Sequence, residues 1–230
     1  MKINFILQNN DTFAAHLYYM RTEDYQAKLD LAIDHLADAG YFIWDNFLDS
    51  EQVRALKEIA HQGQEKGAFK KAGIGKQVLQ QVDRSIRGDY IQWIDKENAD
   101  PLLQSYLDQI ADLKDYINQT CYLGLKDYET HFAIYPENTF YKKHVDRFQQ
   151  NAHRVLSFVL YLNVGWEASD GGELAIYPTN PQEATIVNPL AGRLILFRSE
   201  LLHEVLLAHK ARYSITGWML DTKIGLSFLP

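Results

Sequence analysis

The hydrophobic period of this chain changes at residue 128, and that change constrains the fold more than any other feature. Ahead of it, three segments repeat apolar residues every three or four positions. Beyond it come "YETHFAIYP", "VLSFVLYLN", "GELAIYP", "ATIVNP", "RLILFRS", "LHEVLLA" and "ARYSITGWML", short runs rich in β-branched and aromatic residues. Clusters of Asn, Asp, Gly and Pro separate them. Strands so closely spaced leave no room for crossover helices, so they pair antiparallel and fold into a sandwich or barrel. The earlier "YFIWDNF" and "YIQWI" are expected to add edge strands to the same sheets.

The first of the three helices is expected over 23–39, on a stripe of Tyr25, Leu29, Ile33 and Leu36 with Gly40 as its stop. In "DSEQVRALKEIA", Asp49 is placed to cap a second, with Gln52 three residues on and Val53, Leu56 and Ile59 as its apolar face. Asp100 and Pro101 suit the start of a third, which carries Leu103, Tyr106, Ile110, Leu113 and Ile117 and stops at Gly124. A chain of 230 residues, 47% of them hydrophobic, can bury one sizeable core. The expected organisation is a single domain over 1–230. A helical elaboration occupies about 1–66, a mobile loop about 61–89 and the β core about 90–220. The loop expectation rests on a Gly-rich, locally basic stretch, the composition of a lid that covers a site.

A net charge of −7 argues against a protein that grips nucleic acid across its whole surface. Cys121 is the only Cys, which excludes an intramolecular disulfide and a cysteine-based zinc site. No apolar run approaches membrane-spanning length, so the expectation is a cytoplasmic protein without membrane or direct nucleic-acid partners.

Within the β region, "YKKHVD" carries His144 and Asp146 two residues apart, a spacing that puts both on one face of a strand. This pair is either a satisfied polar contact or two-thirds of a metal site. A third ligand must come from a distant strand. His153 falls in the following loop and His209 in a turn, which leaves His203 at the head of a strand. A hairpin at His209 and Lys210 would return the chain beside His203, with Arg212, Ser214, Thr216 and Trp218 on one face. An inward arginine is costly unless it meets an anion, either an internal partner such as Glu204 or a bound carboxylate. Two histidines and one carboxylate form the facial triad of non-haem Fe(II) oxygenases, although zinc tolerates the same ligands.

His144, Asp146, His203 and Arg212, in that order, resemble the pattern of Fe(II)- and 2-oxoglutarate-dependent dioxygenases. The wider set "IRGDYIQWID", "YPENTFYKKHVD", "RVLSFVLYLN", "GGELAIYP" and "HEVLLAHKARYSITGW" is similar to the prolyl 4-hydroxylase group, including the hypoxia-sensing enzymes of animals and their bacterial relatives. The resemblance implies a mainly β fold with flanking helices, a double-stranded β-helix or jelly roll. It implies iron on His144, Asp146 and His203, and 2-oxoglutarate on Arg212, Tyr161, Tyr135 and Thr216. It implies substrate contacts from Tyr141, Arg154, Trp218, Arg87 and Asp89. The implied chemistry uses Fe(II), 2-oxoglutarate and O2, with ascorbate as a stimulant, to hydroxylate a prolyl residue in a protein. A translation elongation factor is the expected substrate through the bacterial relatives. The alternatives are the same chemistry on a small molecule or free amino acid, and a metal-binding jelly-roll module without turnover.

Overall fold

The computed structural model describes residues 23–73, 86–148, 151–180 and 182–223. Residues 74–85, the centre of the expected loop, and residues 1–22 lie outside them. Helices α1 (Glu23–Asp38), α2 (Ser50–Glu65) and α3 (Pro101–Cys121) stand close to their expected positions. The Asp49 side chain accepts from the Glu51 and Gln52 amides, and the Gln52 side chain accepts from the Asp49 amide, a complete capping box. At the start of α3 the Asp100 side chain accepts from the Leu102 and Leu103 amides, with Pro101 at the first position. α3 ends earlier than Gly124. Tyr122 itself takes the left-handed conformation, φ 52°, and its N–H closes on the Asn118 carbonyl. None of the described helices is long and apolar enough to cross a membrane.

Eleven strands are described: β1 (Tyr41–Trp44), β2 (Lys70–Lys71), β3 (Tyr90–Trp93), β4 (Asp127–Tyr135), β5 (Thr139–His144), β6 (Arg154–Tyr161), β7 (Leu174–Tyr177), β8 (Thr185–Val187), β9 (Leu194–Arg198), β10 (Leu202–Ala208) and β11 (Arg212–Leu220). They form two antiparallel sheets, one ordered β1-β9-β6-β11-β4-β3-β2 and the other β5-β10-β7-β8. This is the jelly-roll sandwich with helices on one side. β1 closes one edge of the larger sheet, while β3 is second from the other edge, inside the short β2.

Period-two alternation sorts the larger sheet into two faces. On β6, Phe158 and Leu160 face the helices and join Leu56, Tyr106, Ile110 and Ile117 in a core that holds most of the buried apolar surface. Val159 and Tyr161 face the smaller sheet and meet Leu174, Ile176 and Val205. Each fully buried aliphatic or aromatic side chain contributes about 1.5–3 kcal/mol, so the helical layer holds the larger sheet rigid. Most of the buried polar side chains named for the site lie on or beside the inner face, where Asp146, Ser157, His203, Arg212 and Ser214 are all buried. The fold therefore spends its apolar side on the helices and places its chemistry between the sheets.

Candidate active site

β5 ends at His144, and the chain then bends, so Asp146 lies just beyond the strand and not on it. The amides of Asp146 and Arg147 both donate to the Ser199 carbonyl, at 3.0 and 2.9 Å, which anchors this bend to the end of β9. Convergence of His144 and Asp146 thus comes from a tethered bend, where strand alternation alone was expected. β10 lies antiparallel to β5 with His203 opposite His144, and the two rings are 4.2 Å apart between centroids. Asp146 Oδ1 is 3.8 Å from His144 Nε2, and Oδ2 is 3.5 Å from His203 Nε2. Ligand atoms from the three residues all fall within 4.8 Å of one another, a set that can hold a metal ion.

Each histidine is oriented from behind. His144 Nδ1 lies 2.7 Å from the Lys142 carbonyl, and His203 Nδ1 lies 2.8 Å from the Leu201 carbonyl. A carbonyl only accepts, so Nδ1 carries the proton and Nε2 presents its lone pair. The Phe197 ring meets His203 edge-on at 4.8 Å. Asp146 Oδ2 accepts from Ser157 Oγ at 2.7 Å, and Ser157 Oγ is 2.8 Å from Ser199 Oγ. Burial, with His203 beside it, lowers the His144 pKa to about 3. Burial opposes the Asp146 anion, yet His203, His144 and Arg154 together hold its pKa below the usual carboxylate value. A neutral His144 imidazole and an anionic Asp146 carboxylate are protonation states that a divalent cation requires.

Arg212 opens β11, and the structure corrects the expected hairpin. β10 belongs to the smaller sheet, whereas β11 lies in the larger one between β4 and β6. Turn residues at 209–211 reverse the chain, but they pass it from one sheet to the other. The expected face nevertheless holds, with Arg212, Ser214 and Trp218 buried on the inside. The Arg212 guanidinium is 2% exposed and sits between the rings of Tyr135 and Tyr161, at 4.9 and 5.0 Å. Its Nη1 lies 3.3 Å from Ser214 Oγ, and its buried Nε has no hydrogen-bond partner. It makes no ion pair among the described residues. Glu204, the internal partner considered from the sequence, accepts instead from Tyr177 Oη at 2.6 Å and lies 3.9 Å from Lys143. A buried cation without an anion is expensive, and a carboxylate from outside the chain could offset that cost here.

Two stacked walls flank the triad. In the first, Arg87 lies 4.4 Å above the Tyr141 ring, and Tyr141 stacks on His144 at 3.7 Å. Arg87 is fixed by two hydrogen bonds to buried Asp89, Nε to Oδ1 at 2.8 Å and Nη2 to Oδ2 at 2.6 Å. In the second, Arg154 lies 3.4 Å over Trp218, and His131 touches both Trp218 and Trp93, at 5.4 and 4.9 Å. Glu129 accepts from Arg154. A cavity of about 320 Å3 opens beside the first wall, lined by Arg87, Asp89, Asn138 and Thr139 among others.

The sequence profile of the 2OG-Fe(II) oxygenase superfamily matches residues 130–220, which contain the triad and Arg212. A crystal structure of a Pseudomonas putida prolyl-4-hydroxylase superposes with a TM-score of 0.76 and 39% identity, covering 85% of this chain and 100% of that one. The chain belongs to the prolyl hydroxylase group of the 2OG-Fe(II) oxygenases. A Trichoplax adhaerens prolyl hydroxylase, solved with a peptide fragment of the hypoxia-inducible factor, gives a TM-score of 0.74 and 28% identity over 87% of this chain and 94% of that one. The hypoxia-inducible factor prolyl hydroxylase of Caenorhabditis elegans is 31% identical over 82% of this chain and 28% of its own length. Against the first curated relatives, the chain spans between 28% and 50% of their length.

Of the residues expected from the sequence, His144, Asp146 and His203 converge, Tyr135 and Tyr161 flank Arg212, Arg87 pairs with Asp89 over Tyr141, and Arg154 covers Trp218. Four others were not expected. Ser157 and Ser199 hold Asp146, Glu129 holds Arg154, and His131 packs against two indoles. Ser157 left a readable signal, as the one small polar residue inside the apolar strand "VLSFVLYL". His131 left none, because a lone histidine on an alternating strand reads as core.

Proposed function

We propose that this chain is an Fe(II)- and 2-oxoglutarate-dependent dioxygenase that hydroxylates a prolyl residue in a protein, with a translation elongation factor as the candidate substrate. The observation that carries the reading is the buried, anion-free Arg212 guanidinium on the strand that also borders the triad. His144, Asp146 and His203 would hold the metal through Nε2, Oδ1 or Oδ2, and Nε2. Arg212, flanked by Tyr135 and Tyr161, would take the distal carboxylate of 2-oxoglutarate through parallel hydrogen bonds. Thr216, two positions beyond Ser214 on the same face, would border the path from that pocket to the triad. When bound, the iron with 2-oxoglutarate and O2 supplies the oxidation of the target C–H bond, with succinate and CO2 as by-products.

The protein's part is placement and exclusion of water. Tyr141 and Trp218, each held by an arginine, would bound the space on either side of the triad where a saturated five-membered ring could sit. Arg87 and Arg154 are each satisfied by a carboxylate, so their guanidiniums hold the aromatic faces in position and add little net charge. The similarity to the prolyl hydroxylases of P. putida and T. adhaerens supports this reading. Succinate release tests it. Release should rise when a proline-bearing elongation-factor peptide is added and should not rise with the peptide whose prolines are replaced by alanine. Equal release with both peptides would reject a prolyl substrate.

A further inference from the structure

His131 has no place in the roles above, and its packing does not explain it. It lies near the middle of β4 on the inner face, in line with Ala133 and Tyr135. The ring is 3% exposed, it packs against Trp93 and Trp218, which also touch each other, and its Nδ1 has no hydrogen-bond partner. Burial, followed by the charges of Arg87 and Arg154, pushes its pKa down to about 3, so it stays neutral with one N–H and one lone pair. Methionine or leucine would fill the same space with no polar atom to desolvate. A buried imidazole with an unbonded nitrogen costs stability, and such a group calls for a ligand.

Register says where that ligand lies. His131 is directly opposite Thr216 on β11, and Trp93 is opposite His131 on its other side. Thr216 sits between Arg212 and Trp218 on the inner face, and Trp218 is opposite Ser157, whose hydroxyl donates to Asp146. His131 therefore borders the triad end of the path that begins at Arg212. We propose that His131 is a cosubstrate-binding residue whose imidazole donates a hydrogen bond to the 2-oxo acid head of 2-oxoglutarate, the end that approaches the metal. The proposal rests on the 2-oxoglutarate reading of the site.

Anaerobic calorimetry on protein loaded with Mn(II) tests it without turnover. His131→Met keeps an apolar filler and removes the donor, and His131→Gln restores a donor. The expected result is a rise of about tenfold in the 2-oxoglutarate Kd for His131→Met, the loss of one hydrogen bond to a charged group. Glutamine should recover part of it. The Mn(II) Kd should not change, and nor should the Kd of succinate, which has the distal carboxylate but no keto group. An unchanged 2-oxoglutarate Kd in the methionine variant would overturn the assignment, as would equal weakening of Mn(II), succinate and 2-oxoglutarate. A higher KM for the peptide with an unchanged 2-oxoglutarate Kd would move His131 to the substrate and also overturn it. Failure of the unmodified protein to bind 2-oxoglutarate would instead sink the oxygenase reading itself.

Discussion

The Arg154 guanidinium lies 3.4 Å over the Trp218 ring and donates through Nε and Nη2 to the same oxygen of Glu129, at 3.0 and 2.7 Å. Glu129 thus fixes the angle at which Arg154 covers the indole. Glu129→Gln should loosen that cover and change the KM for a peptide substrate several-fold, while the 2-oxoglutarate KM stays constant. Steady-state kinetics with each substrate varied in turn would check this. An equal change in both constants would mean that the pair supports the whole site.

Arg212 and His144 should fail in different ways. His144→Ala removes a ligand, so metal binding and turnover should both disappear. Arg212→Ala leaves the triad intact but removes the buried partner of the carboxylate, so the 2-oxoglutarate KM should rise about a hundredfold or more. Calorimetric Mn(II) titration of both variants separates the two effects.

Ser157 supports the triad from behind. Its hydroxyl donates to Asp146 Oδ2, so Ser157→Ala leaves a buried carboxylate oxygen one hydrogen bond short. Supporting partners of this kind are worth about 10–100-fold in metal affinity. The variant should lose that much in Mn(II) or Fe(II) binding while keeping its far-UV circular dichroism spectrum.

Acid should destabilise the metal-free protein well above the pH at which carboxylates titrate. Burial lowers His131 and His144 from 6.5 to about 3 in the folded chain. The unfolded chain therefore takes up protons that the native state refuses as pH falls from about 7 toward 4, and stability declines across that window. The Asp146 pKa is depressed, so its contribution is present above the unfolded carboxylate value and is lost only at lower pH. The urea midpoint should fall between pH 7 and 4, and His131→Phe should flatten the slope. A midpoint that stays constant over this range would contradict the buried neutral histidines.

The parts of the site that were legible in the sequence are those carried by residue type and order. Asp49, Gln52 and Asp100 announce their caps because capping is local chemistry. His144, Asp146, His203 and Arg212 announce a site because such side chains are costly inside apolar strands unless something pays for them. The β10–β11 connection was not legible, since Lys210 and its neighbours signal a reversal but not which sheet receives the next strand. Nor was the tether of Asp146 to Ser199, which joins positions far apart in the chain and involves backbone groups that every residue carries. Tyr122 ended α3 ahead of Gly124 because the Asn118 carbonyl and side chain already capture the departing chain, through the amides of Tyr122 and Leu125.

The most direct measurement is peptide mass spectrometry of the candidate elongation factor after incubation with the protein, Fe(II), 2-oxoglutarate and air. The account predicts a gain of one oxygen on a single proline, absent when 2-oxoglutarate is omitted and absent with His203→Ala. Oxygen gained on another residue type, or on proline with the His203→Ala variant, would contradict it.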